Sequence, residues 1–114
     1  DVPAITIEMS GALADLRPSV DAALYRLAGE AITNARRHAT GATRIIVRLD
    51  ATDDAVRLTV DDDGRPADPR LRDGYGLAGM AERVDLLGGT FRAGPRPGGG
   101  WSVSAELPRA GSTP

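Results

Sequence analysis

The chain has 114 residues, 41% of them hydrophobic, with 16 acidic side chains against 14 basic ones and a net charge of −2. That length and apolar content support one modest core and no second domain, and the absence of cysteine excludes disulfides and cysteine-ligated zinc. All 14 basic residues are arginine, which excludes any chemistry needing a lysine from this chain, and their scatter with a pI near 5.3 argues against nucleic acid as a partner.

Ala4 to Met9, with Ile5 and Ile7 in alternation, reads as a short strand, and Gly11 to Pro18 as a connector. Ser19 is placed to cap a helix whose apolar period, from Val20 through Leu24, Leu27, Ala31 and Ala35, runs to about Ala39 before Gly41 stops it. Arg44 to Asp50 and Ala55 to Asp61 alternate apolar and polar residues on either side of Thr52-Asp53-Asp54, the pattern of an antiparallel hairpin. Gly64 to Gly74 holds two prolines and five charged residues and reads as a loop. Leu77 to Leu87 repeats apolar residues at helical spacing and ends on Gly88-Gly89. Thr90 to Ala93 and Trp101 to Leu107 read as a closing hairpin, with Trp101, Val103, Ala105 and Leu107 on its inward face. These elements predict an α+β fold, a two-layer α/β sandwich with its helices on one face of a mixed, mostly antiparallel sheet. Residues 1–109 form the domain and residues 110–114 a C-terminal tail. No apolar run approaches the roughly 20 residues that span a bilayer, and the N-terminus lacks a signal-peptide pattern, so the expectation is a soluble domain.

Glu30, Asn34, Arg37 and His38, at i, i+4, i+7 and i+8, line a strip beside the apolar face of the first helix. An acid, an amide and basic groups in one strip can meet a metal ion and phosphates together. Gly74 and Gly76 lead into the second helix, where an unhindered backbone and a helix N-terminus can approach phosphate. Asp61, Asp62 and Asp63 are adjacent at a strand end, but alternation points neighbours to opposite faces, which argues against a three-carboxylate metal cluster.

The run Glu30-Ala31-Ile32-Thr33-Asn34-Ala35-Arg36-Arg37-His38-Ala39 resembles the N box of the GHKL ATPases, in the form found in sensor histidine kinases. Asp62-Asp63-Gly64 resembles their first glycine box, Gly74-Tyr75-Gly76-Leu77-Ala78-Gly79-Met80 their second, and Gly98-Gly99-Gly100 their last glycine motif. Order and spacing match over nearly the whole chain, and the run from Gly76 to Val84 is most similar to the kinases that pair with NarL-type response regulators. The resemblance implies the Bergerat form of the sandwich, with ATP and Mg²⁺ as ligands. It implies that Asn34 supplies an amide oxygen to Mg²⁺, with Glu30 near that metal as an acceptor for its bound waters or a base for water or hydroxyl activation. Arg37 would reach phosphate, His38 would flank the base or phosphates, and Asp62 would accept a hydrogen bond from the adenine amino group beside Gly64. Gly74, Tyr75, Gly76 and Leu77 would contact the phosphates. The accepting histidine of such kinases lies on a separate dimerisation domain, so the resemblance implies a homodimeric parent, a cytoplasmic catalytic domain and a NarL-type regulator downstream. Two other readings stay open: a GHKL serine kinase of the anti-sigma type, and a docking domain without turnover. The chain departs from the family at Pro66, where a second glycine is usual, and at Trp101, where many members have threonine. Pro66 fixes φ and removes an amide donor.

Overall fold

The computed structural model describes residues 3–66 and 76–109, and its elements follow from local chemistry before any packing is considered. The first helix, α1 (Pro18–His38), starts at Pro18, whose fixed φ and missing N–H suit the first helical position. Arg17 therefore takes the cap in an extended conformation, and its carbonyl accepts the Val20 and Asp21 N–H groups at 2.9 and 3.0 Å. This corrects the expectation for Ser19, which lies inside the first turn; no side chain caps this helix. The second helix, α2 (Leu77–Leu86), starts at Gly76 with φ +78°, a left-handed cap that glycine adopts without strain.

A five-stranded sheet runs in the order β1-β3-β4-β7-β6, formed by β1 (Ala4–Ser10), β3 (Arg44–Ala51), β4 (Ala55–Asp62), β6 (Thr90–Pro95) and β7 (Trp101–Pro108). The β1/β3 pair is parallel and the other pairs antiparallel, so the sheet is mixed and mostly antiparallel. Register places Ile45 opposite Asp62 and Asp62 opposite Trp101, bringing the ends of three strands to one edge of the sandwich. A separate pair of two-residue strands, β2 (Ala39–Thr40) and β5 (Arg65–Pro66), ties the end of α1 to the segment after Gly64. Sequence patterning expects Ala39 in the helix and Arg65-Pro66 in a loop; a two-residue antiparallel contact has no periodicity by which to be read.

Both helices lie on one face. α1 packs over β3, β4 and β7, and α2 over β6 and β7. Val20, Leu24, Leu27 and Ala31 of α1 meet Ile45, Val47, Val56, Leu58 and Val60, while Met80 and Val84 of α2 complete the layer with Val103, Ala105 and Leu107. Trp101 is partly buried against the same core. At the sheet edge the inward side chains Ile7 and Met9 of β1 are 58% and 65% exposed.

Leu27, 1% exposed at the centre of α1, carries the helix-to-sheet contact. Leu27→Ala is expected to cost about 2–5 kcal/mol in urea unfolding, whereas Ile7→Ala on the exposed edge changes stability by less than about 1 kcal/mol.

Candidate functional site

The apolar face of α1 fixes the helix against the sheet, and that rotation decides where the adjoining strip points. Glu30, Thr33 and Asn34 line a cavity of about 450 Å³ shared with Gly76, Gly79 and Arg83 of the α2 segment. Gly76, Gly79 and Arg83 recur at three- and four-residue spacing, so one face of α2 presents two residues without side chains followed by a guanidinium. A Cβ at Gly79 would meet nothing within 4 Å, so the cavity is open there. Across it the Arg83 Nη1 group donates to Glu30 Oε1 and Oε2 at 3.3 and 3.4 Å, and Arg26 Nε lies 3.8 Å from Oε1. Sequence reading takes Arg83 only as part of a family run. The signal that could have found it is its position seven residues after Gly76, on the same helical face.

At the end of β4 the three acids part company. Asp62 is 4% exposed and its Oδ1 accepts the Gly64 N–H at 2.9 Å. Burial pushes its carboxyl above the usual range, while the backbone N–H groups of Gly64 and Trp101 pull the other way. Gly64 sits against Ala39 and Ala42, where a Cβ would lie 2.9–3.0 Å from its neighbours. Gly100, at φ +97°, passes the Asp62 carbonyl so closely that a side chain there would collide with it. Arg96 Nη1 donates to that same carbonyl at 3.1 Å. Asp63 turns outward and clamps the start of β3, accepting the Thr43 and Arg44 N–H groups at 2.7 and 3.0 Å and the Thr43 hydroxyl. Those bonds, the hydroxyl's first, hold its carboxyl down to about 2. Asp61 pairs with Arg48 Nη1 at 3.4 Å on the outer face of the sheet. Among the described residues no group of three or more His, Cys, Asp or Glu side chains is placed to hold a metal ion.

Glu30, Asn34 and Gly76 thus line one cavity, and Asp62 and Gly64 form a second cluster near the C-terminal end of α1. Leu77 opens α2 and packs partly against the core. Arg37 is exposed on the last turns of α1, outside the lining of the cavity. His38 ends the helix, and its side chain lies outside the described part of the structure, as do Gly74 and Tyr75.

A helix carrying an acid and an amide thus stands beside a buried strand-end aspartate, with glycine turns around both. The chain belongs to the family of histidine kinase-, DNA gyrase B- and HSP90-like ATPases, whose pattern matches residues 19–111. Among its relatives are the signal transduction histidine-protein kinase/phosphatase DegS of Bacillus subtilis, 37% identical over 82% of this chain and 25% of DegS. The sensor protein VraS of Staphylococcus aureus is 36% identical over 75% of this chain and 25% of its own length. The chain spans about a quarter of the length of these curated relatives. In fold it is similar to the blue-light activated histidine kinase of Erythrobacter litoralis EL346, with a TM-score of 0.72 and 25% identity over 94% of this chain and 36% of that one. The catalytic domain of histidine kinase ThkA gives a TM-score of 0.67 at 21% identity, covering 92% of this chain and 79% of that one. The two-layer sandwich expected from the sequence is the fold observed.

Two titrations follow from this geometry. The Asp63 carboxyl lies below its unfolded value of 3.8 in the folded chain, so its contribution is present above pH 3.8 and is lost as pH falls through about 2. Urea midpoints measured from pH 5 to pH 2 are expected to fall more steeply for the unmutated chain than for Asp63→Asn. For Asp62 the sign is opposite: its raised folded value favours the folded state below pH 3.8, and that advantage is lost as pH rises through the folded value. Asp62→Asn removes the titrating group, so the gain in urea midpoint that the unmutated chain is expected to show as pH falls toward 3.8 should be smaller in that variant.

Proposed function

We propose that this chain is the ATP-binding catalytic part of a two-component sensor histidine kinase. It would bind Mg-ATP and donate the γ-phosphoryl group to a histidine on a separate dimerisation domain. The observation that carries this reading is the buried Asp62 carboxylate, held by the Gly64 N–H beside the C-terminal end of the helix that bears Glu30 and Asn34. A carboxylate buried at a cost in stability suits recognition of the adenine amino group and rejects the carbonyl that guanine carries at that position.

Asn34 and Glu30 line one cavity and carry side-chain oxygens, the hard-donor chemistry that Mg²⁺ accepts, with phosphates and water completing its shell. When bound, the metal neutralises charge on the phosphates. Gly76 and Leu77 offer the start of α2, whose N-terminus favours an anion. Gly74 and Tyr75 precede it and would contact the same phosphates, with Arg37 and His38 flanking the nucleotide from α1. Transfer would break the bond between the γ-phosphorus and its bridging oxygen and form one to an imidazole nitrogen supplied by the dimerisation domain. The role of this chain in that step is positioning and charge neutralisation. A homodimeric parent, a NarL-type regulator as the next acceptor and a cytoplasmic location, where ATP is available, complete the reading. The named relatives DegS and VraS support it, being a histidine-protein kinase/phosphatase and a sensor protein.

Calorimetric titration with ATP and ADP, with and without Mg²⁺, tests the assignment. Asp62→Asn is expected to abolish binding of both nucleotides, and Asn34→Ala to lose chiefly the Mg²⁺ dependence. The isolated chain should bind nucleotide without stable phosphorylation of His38, its only histidine. Undiminished binding by Asp62→Asn, or a stable phosphohistidine at His38, would overturn the reading.

A further inference from the structure

We propose that Arg83 is a positioning residue for the terminal phosphate, the cation that tells ATP from ADP in this site; the inference rests on the nucleotide reading above. Three observations carry it. First, the cavity that holds Glu30 and Asn34 must receive a polyanion, and among the described residues that line it Arg83 is the only cation. The chain has no lysine to take that part. Second, Arg83 is already aimed across the cavity. Its guanidinium spans from α2 to the Glu30 carboxylate at 3.3 and 3.4 Å while using one nitrogen, Nη1, for both contacts. A guanidinium carries five N–H donors in a fixed fork, so a second edge can meet phosphate oxygens while Glu30 stays bonded.

Third, the order of groups along α1 places Arg83 at the far end from Asp62. Gly64, whose N–H holds Asp62, abuts Ala39 at the C-terminal end of α1, and Glu30 lies nine residues earlier. At the rise of an α-helix this is about 13 Å. A nucleotide whose base meets Asp62 and whose phosphates run back along α1 passes Asn34 first and reaches Glu30 and Arg83 with its last phosphate. Glycine at positions 76 and 79 leaves the intervening face of α2 without side chains, so the chain of phosphates can approach its backbone before meeting the guanidinium. Without nucleotide, Glu30 neutralises Arg83; with it, the terminal phosphate takes up the charge that Glu30 alone leaves partly exposed.

The test is the ATP-to-ADP affinity ratio of the 114-residue chain, measured by calorimetry in saturating Mg²⁺ for the unmutated chain, Arg83→Ala and Arg83→Lys. Arg83→Ala is expected to weaken ATP about tenfold or more, the loss typical of a charge-assisted hydrogen bond, and ADP by no more than about twofold. Arg83→Lys, which keeps the charge and loses the fork, is expected to fall between the two. ADP binding by Arg83→Ala also shows that the variant is folded. Equal losses for both nucleotides, or no loss for either, would make Arg83 a purely structural partner of Glu30 and overturn the proposal while leaving the nucleotide site standing. An unmutated chain that binds neither nucleotide overturns the functional reading itself, and the role of Arg83 with it.

Discussion

Asp62 is the one charged side chain buried among the described residues, and the end of the sandwich around it is arranged to make that burial tolerable. A lone carboxylate removed from water costs several kcal/mol unless donors replace its hydration. Here the donors are backbone N–H groups, delivered by a turn that returns Gly64 to the Asp62 side chain. The turn needs a residue without a Cβ because Ala39 and Ala42 stand where one would go. The neighbouring hairpin needs Gly100 for the same reason, since it passes the Asp62 carbonyl too closely for any side chain. Asp63 then fastens this edge to the start of β3, and Arg96 fastens it to the hairpin between β6 and β7. Gly64 and Gly100 are thus steric consequences of one buried acid before they are anything else.

The second half of the site depends on α1, an element the core already determines. Val20, Leu24, Leu27 and Ala31 bury themselves on the sheet, and burial at about 25 cal/mol per Å² sets the rotation of the helix. Once that face is down, Glu30 and Asn34 have no choice of direction; they lie on the flank that meets α2. The cross-helix pair of Glu30 with Arg83 is part-exposed at 37% and 27% of the side chains and so adds less than about 1 kcal/mol. It is too weak to hold the helices in place, which leaves it free to be rearranged by a ligand. Strong packing sets position, and a weak ion pair marks the place where position is used.

How much of this is legible in the sequence differs by the range of the interaction. The register of α1, the β3–β4 hairpin and the β6–β7 hairpin are visible because periodicity and turn residues act within a few positions. The inward face of β7 follows from simple alternation of Val103, Ala105 and Leu107. The start of α1 is misread by two residues because Ser19 is a good cap in isolation, whereas Pro18 has no N–H to lose and claims the first helical position. The pairing of Ala39–Thr40 with Arg65–Pro66 is invisible because two residues make no pattern, and Pro66 argues locally against a strand. Arg83 and Glu30 are 53 residues apart, so only their shared cavity joins them. Of the site, the motifs name Glu30, Asn34 and Asp62, but the partners that decide their electrostatics come from tertiary structure.

The two ends of the sheet are built differently, and the difference bears on how a ligand can act. At the end away from Asp62, Arg109 closes the structure with bonds to backbone carbonyls alone: its N–H to Asp54 at 2.9 Å, Nη1 to Thr52 at 3.3 Å and Nη2 to Ala14 at 2.7 Å. These tie the β3–β4 turn, the connector before α1 and the end of β7 to one residue, and Gly11 lets that connector pass against Ala51. No titration or ligand is needed to hold that end. At the other end the fastenings are a buried acid, an outward acid and glycine turns. The apolar layer between them is continuous from Leu107 and Val56 to Val60 and Ile45, so it resists deformation as a packed solid does. A change imposed beside Asp62 is therefore expected to fall on the turns that border the site. The core transmits position to the site without being rebuilt by what binds there.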